Sequence, residues 1–170
     1  SPKFDAGDFI QVRSTAVEYQ NRIQLKVEWL EPVASESVDP EDFLPATSRD
    51  RGEMLGRVRT LLASIHDASL RDMLVERLDD STFRRRFTRA PAAKTIHHAY
   101  LGGLLEHTLS VMELAQSITE LHPWLDRDIL IAGAFLHDIG KTRELDQERS
   151  FDYTDEGRLI GHIVMGTGMF

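Results

Sequence analysis

His137 and Asp138 stand side by side in the stretch Ile129 to Lys141, which reads ILIAGAFLHDIGK. The run from Ile129 to Leu136 is apolar on every side, so as a helix it is expected to be buried all round. An imidazole and a carboxylate then emerge at the end of a buried helix, with Gly140 as its stop signal. A buried, ionised Asp is costly unless something pairs with it, and a metal cation is the strongest such partner. Adjacent helical residues do not face each other. His137 and Asp138 therefore reach one ion only from a terminal or distorted turn, which the helix end supplies. Taken alone, the pair is explained as well by a core His satisfied by a carbonyl and an Asp that caps the next segment.

The pair does not stand alone. His107 precedes it in Gly103-Leu104-Leu105-Glu106-His107-Thr108, and His162 follows it in Leu159-Ile160-Gly161-His162. Each sits among apolar neighbours in its own helix-like segment, and bundles build metal sites from side chains on separate helices in this way. The chain has no cysteine, so imidazole, carboxylate and water are the available ligands. That set suits Mn, Fe, Co, Ni, Zn or Mg, not a thiolate zinc site. A cation held by His107, His137 and Asp138 with open positions lowers the pKa of bound water and neutralises charge on a phosphoryl oxygen, the requirements for in-line hydrolysis of a phosphodiester. His162 is a candidate ligand for a second ion or a substrate-side acid.

The elements that must position these residues are mainly helical. Gly7 to Pro32 is the exception: β-branched and aromatic residues dominate, and from Ile23 to Trp29 they alternate with Gln, Lys and Glu. Tyr19 to Arg22 is the turn, with Asn21 able to adopt positive φ. A lone hairpin is marginal in water, so it must belong to a larger sheet or pack on the rest. Its exposed Arg13, Arg22 and Lys26 fit either a nucleic-acid face or a solvated one. Ala34 to Asp50 reads as a linker punctuated by Ser and Pro. Helical spacing then runs from Arg51 onward, with Asp67 and Ser81 as N-caps of the second and third segments and Asp126 as the cap of the buried helix. Gly102-Gly103 opens a helix to about Leu121 with an apolar stripe of Leu104, Leu105, Val111, Met112, Ala115 and Ile118. Glu144 to Asp155 reads as a charged loop, and Thr154 as the cap of a last helix carrying His162. His66 and His122 carry no companions and read as structural or exposed.

From Thr82 to Leu105 no acidic residue occurs, while Arg84, Arg85, Arg86, Arg89 and Lys94 are all basic. Guanidinium forks and ammonium groups suit phosphate oxygens, and Phe83 and Phe87 could stack on bases. The simpler alternative has the two Phe in the core and the Arg in solvent.

An isolated His followed by His-Asp and a further His on a later helix resembles the HD superfamily of metal-dependent phosphohydrolases. The run AAKTIHHAYLGGLLEHTLSVMEL from Ala92, then AFLHDIGK and LIGHIVMG, resembles more narrowly the HD-domain 3'-to-5' exoribonucleases of the YhaM type. The resemblance spans about Phe9 to the end of the chain and is strongest from Ala92. It implies a mainly α fold: residues 1–33 as the end of an OB-fold-like nucleic-acid-binding module, 34–50 as linker, and 51–170 as a helical HD bundle. It also implies a divalent metal, manganese foremost, held by His107, His137, Asp138 and His162, with catalysis by His137 and Asp138. Lys141 would hold a phosphate beside the metal, and His98 would contact substrate or water. Single-stranded nucleic acid, RNA before DNA, is the implied partner, with homo-oligomerisation left open. Since the family pattern needs further His and a closing Asp, and the chain starts at Ser1 without Met, the sequence reads as part of something longer.

The 170 residues are 41% hydrophobic and 28% charged, a globular profile. The net charge of −8 argues against nucleic-acid affinity over the whole surface but not against a local basic site. No run of ~18–20 apolar residues suits a membrane span, and no signal peptide opens the chain, so a cytoplasmic location is expected. Two other readings stand beside the exonuclease: an HD phosphohydrolase of a small nucleotide or cyclic dinucleotide, and a catalytically incomplete nucleic-acid-binding fragment.

Overall fold

The computed structural model describes residues 4–5, 7–146 and 151–169, and the chain divides into two compact units. The first extends to Phe43 and contains one antiparallel hairpin, β1 (Ile10–Tyr19) and β2 (Arg22–Pro32). Gln20 and Asn21 both take positive φ, 51° and 56°, the conformation that matches the right-handed twist of a two-residue hairpin. Cross-strand partners share a face and neighbours along a strand alternate. The register shift at Arg13/Ser14 resets that alternation, as a bulge does. One face therefore carries Arg13, Thr15, Val17 and Tyr19 with Arg22, Gln24, Lys26 and Trp29. The other carries Ile10 and Val12 with Ile23, Leu25, Val27 and Leu30.

The second unit, from Leu44 onward, is helical: α1 (Arg51–Ala63), α2 (Ala68–Asp79), α3 (Ser81–Arg89), α4 (Gly103–Leu121), α5 (Arg127–Leu136), α6 (Lys141–Glu144), α7 (Asp155–Ile160) and α8 (His162–Thr167). Carboxylate caps set the starts of four of these. Asp50, Asp67 and Asp126 accept from the backbone N–H of Glu53, Leu70 and Ile129. For α3 the cap is Asp80, which accepts from Phe83 N–H at 2.7 Å, and Ser81 is already inside the helix. Ser and Asp are near-equal as caps, so the sequence alone did not rank the two neighbours.

α4 packs on α5, α1 and α3. Its buried stripe is Leu104, Leu105, Thr108, Leu109, Met112, Ala115 and Thr119; Val111 is only partly buried and Ile118 lies on the outer side. At the centre, Phe83 and Phe87 stack at 5.4 Å between ring centroids, and Phe135 meets Phe87 edge-on at 5.8 Å. All three rings are in the core, so Phe83 and Phe87 are not available to stack on bases. α5 is not buried all round either: Ile129 and Gly133 face outward, on one face of the helix four residues apart. A helix at the rim of a small bundle has too few neighbours to be covered on every side.

Candidate metal centre

α5 ends at Leu136, with His137 as its C-cap residue in right-handed helical conformation. A tight turn leads to α6 at Lys141. The buried side chains of Phe135 and Ile139 bracket His137 and Asp138, so core packing on both sides fixes their direction. Gly140 has ordinary helical φ of −61° and is not a left-handed stop. Its role is close approach: a Cβ there would lie 1.9 Å from the carbonyl oxygen of His162. Helix α5 ends by running into the next short helix.

His137 Nδ1 sits 2.8 Å from the carbonyl oxygen of Ala134. A carbonyl only accepts, so Nδ1 carries the proton and Nε2 presents its lone pair. That Nε2 is 3.1 Å from His107 Nε2 and 3.2 Å from Asp138 Oδ2, and His107 Nε2 is 3.4 Å from the same oxygen. Three lone-pair-bearing atoms thus converge from α4 and the end of α5. A cation 2.0–2.2 Å from each ligand spaces them about 3.0 Å apart at right angles and about 3.4 Å apart at tetrahedral angles. The observed edges fall in that interval, and the donor set of two imidazoles and a carboxylate suits a borderline divalent ion. The residues present fit a metal, and among the described residues this is the group of three or more candidate ligands that could hold one.

Asp138 is buried, 6% exposed. Burial pushes its carboxyl pKa up, but contacts from His107, His137 and Lys141 outweigh burial and hold it far below the usual carboxylate range. Its neighbour His137 is raised above its ordinary value, chiefly by Asp138 and against burial. Lys141 Nζ lies 2.8 Å from Asp138 Oδ2. The second oxygen, Oδ1, is 3.4 Å from His162 Nε2. His107, His137, Asp138, Lys141 and His162 therefore share one site.

His162 is not within the helix that Thr154 caps. Thr154 caps α7 through Gly157 N–H at 2.9 Å, the chain breaks at Gly161 with φ +77°, and His162 opens α8. The expected charged loop from Glu144 to Asp155 lies partly outside the described residues. Where described, it begins with α6, and Glu144 is buried against His162, a contact that sequence reasoning missed. Nothing in the string KTRE separates this carboxylate from a solvated one.

His98 stands next to this group, its ring 5.7 Å from that of His107. His97 and His98 both adopt positive φ, 47° and 56°, strain that non-glycine residues carry only when surroundings over-determine it. The surroundings are visible. The His98 carbonyl accepts from Ala92 N–H, and it lies where a Cβ on Gly103 would come within 2.0 Å. His98 Nδ1 is 2.7 Å from the Tyr100 hydroxyl, which donates to Glu106 Oε2 at 3.0 Å, and Thr47 donates to the same oxygen at 2.7 Å. Burial lowers the His98 pKa against the nearby Glu106. Thr47, Tyr100 and Glu106 were not legible as a unit, because 59 residues separate Thr47 from Glu106.

The basic residues are less concentrated. Arg84, Arg85 and Arg86 are exposed on α3. Lys94 pairs with Asp152 at 2.9 Å. Among the described residues, no hydrogen bond or ion pair joins these residues or Arg89 to a histidine of the site. His66 joins Asp128 at 3.2 Å, and His122 is the exposed C-cap of α4 beside Trp124. The groove lined by Arg49, Glu53, Met54, Arg57, Thr60, Leu109 and Glu113 contains none of the site histidines.

Residues 104–170, which include His107, His137, Asp138 and His162, match the HD domain family. Over that stretch the chain is similar to the HD domain family. It is also similar to proteins named 3'-5' exoribonuclease YhaM: 35% identical over 155 residues to that of Bacillus subtilis, covering 91% of this chain and 49% of the relative. The protein of the same name from Shouchella clausii is 34% identical over 155 residues, covering 91% and 48%. That of Bacillus licheniformis is 36% identical over 146 residues, covering 85% and 46%. The chain thus spans about half the length of the curated relatives it matches. No solved structure matches it.

Proposed function

We propose that this HD-domain chain is the metal-dependent hydrolytic part of a 3'-to-5' exonuclease acting on single-stranded RNA. The observation that carries the reading is the convergence of His107 Nε2, His137 Nε2 and Asp138 Oδ2 within 3.1–3.4 Å of one another. His107, His137 and Asp138 hold a divalent ion, manganese before iron, cobalt, nickel, zinc or magnesium. When bound, such an ion supplies an activated water and neutralises charge on the phosphoryl oxygen. The chain's own residues do the rest. Hydrogen bonding to Ala134 keeps His137 in the ligating tautomer. Lys141, already drawn in by Asp138, offers its remaining N–H groups to a phosphate oxygen. His98, its Nδ1 tied to Tyr100, keeps Nε2 for water or the leaving oxygen.

The strand-guiding elements are Arg84, Arg85, Arg86, Arg89 and Lys94 and the hairpin face with Arg13, Arg22, Lys26, Tyr19 and Trp29, where cations and aromatic rings stand together as single-strand binding requires. Residues up to about 33 serve as part of an OB-fold-like module, a reading supported by the apolar opposite face, since a larger sheet buries such a face. A cytoplasmic location goes with this activity, and no helix among the described residues is long and apolar enough to cross a membrane.

The test is degradation of single-stranded RNA, single-stranded DNA and mononucleotides by the full-length protein with Mn²⁺. RNA shortened from its 3' end, with loss of activity in His137→Ala, is the expected result. Turnover of mononucleotides alone assigns a small-nucleotide phosphohydrolase, and undiminished activity in His137→Ala removes the metal site from the reaction.

A further inference from the structure

Glu144 is 6% exposed, and a buried carboxylate needs partners that satisfy it. Among the described residues, its side chain hydrogen-bonds to one residue: Oε1 accepts from the backbone N–H of His162 at 3.0 Å and meets His162 Nδ1 at 3.0 Å. With Nδ1–H donating to this carboxylate oxygen, the neutral imidazole keeps its lone pair on Nε2. That lone pair faces Asp138 Oδ1 at 3.4 Å, an edge equal to the His107–Asp138 edge of the first site. Two acceptors held face to face at this distance call for a cation between them.

The backbone clamps this arrangement from both sides. Glu144's carbonyl accepts from Thr154 N–H at 2.9 Å, and a Cβ on Gly157 would lie 2.3 Å from that oxygen. Gly140 leaves equivalent room for the carbonyl of His162. Neither partner can turn away without moving a helix.

We propose that Glu144 is a positioning residue that locks His162 in the Nδ1–H tautomer and aims its Nε2 at a second divalent-cation position shared with Asp138 Oδ1. The inference rests on the metal reading of the site. Glu144 touches neither ion nor substrate; it acts through His162, as carboxylates behind metal-bound imidazoles do.

Two measurements on the full-length protein test it. In the metal-free protein, ¹⁵N NMR of the His162 ring reports the tautomer; a proton on Nδ1 is expected, and one on Nε2 instead overturns the proposal. In Mn²⁺ titrations followed by EPR, wild type takes up two ions. Glu144→Leu weakens one of them by about 10–100-fold and leaves the other unchanged. Glu144→Gln, whose amide oxygen still accepts, keeps the fold and loses less. Unchanged affinity for both ions in both variants overturns the role, as does equal weakening of both sites with loss of helix content, which marks a purely structural carboxylate. Uptake of a single ion by wild type overturns the second position alone, whereas uptake of none overturns the metal reading on which it rests.

Discussion

The helical unit and the hairpin unit treat similar side chains in opposite ways. In the helical unit Phe87, Phe135, Leu104 and Met112 are fully buried, and the carboxylate of Asp138 drawn in with them is matched. Asp138 meets three imidazoles and an ammonium group. In the hairpin, Ile23 is 82% exposed and Leu25 65% exposed, although their alternation is as regular as any strand's. Two strands have one inner face and nothing of their own to bury it in. The difference teaches where side-chain direction comes from. Packing on several sides dictates it at the candidate metal centre, whereas strand pairing and one bulge dictate it in the hairpin.

That contrast can be broken or sharpened by substitution. The largest effect belongs to the over-determined site: under the proposed function His137→Ala removes one of three converging ligands, and loss of a few kcal/mol of charge stabilisation should lower Mn²⁺-dependent turnover of the full-length protein by about 10³-fold. The helix content by circular dichroism should stay unchanged, because His137 contributes no core area. Next comes the packing itself. Phe87→Ala deletes a ring fully buried between Phe83 and Phe135 and is expected to cost about 3–5 kcal/mol in denaturant unfolding.

A smaller loss is expected at Asp128, which accepts from the backbone N–H groups of His66 and Asp67 at 2.8 and 3.0 Å. Asp128→Ala leaves both donors unmatched and should cost about 1–2 kcal/mol. Burial raises the Asp128 pKa, but these hydrogen bonds outweigh it and leave the folded value below the ordinary one. A depressed folded pKa means stability present above the unfolded pKa and lost as pH falls through the folded one. The gap between wild type and Asp128→Ala should therefore narrow in acid, and a gap that widens there refutes the assignment. The smallest effect belongs to the hairpin: Leu25→Ser should move the unfolding of the helical unit by less than about 0.5 kcal/mol. A larger shift would mean that the hairpin's apolar face contributes to the helical core.

Local rules carried the sequence reading a long way. Helical spacing, Asp67 and Asp126 as caps, the Asn21 turn and the opening of α4 at Gly103 each depend on a few consecutive residues, and each appears as expected. That His107, His137, Asp138 and His162 deserved to be read together was legible from their order and their apolar flanks, and the structure brings the four side chains together. Legibility ended where a choice depended on neighbours distant in sequence. Phe83 and Phe87 beside three arginines fit a stacking platform or a core equally well until Phe135 arrived against them. Gly140 reads as a stop, yet its missing side chain makes room for a carbonyl 22 residues later, that of His162.

The sequence by itself determined the longer helices, the hairpin, the donor types and their order, because propensity, capping and periodicity act within a turn or two. Only the tertiary structure decided which nitrogen of each imidazole faces inward, that Glu144 stands behind His162, and that Glu106 and Tyr100 stand behind His98. Those choices follow from where hydrogen-bonding partners come to lie in space, three residues away for His137 and Ala134 or eighteen for His162 and Glu144, and no pattern along the chain encodes a distance across it.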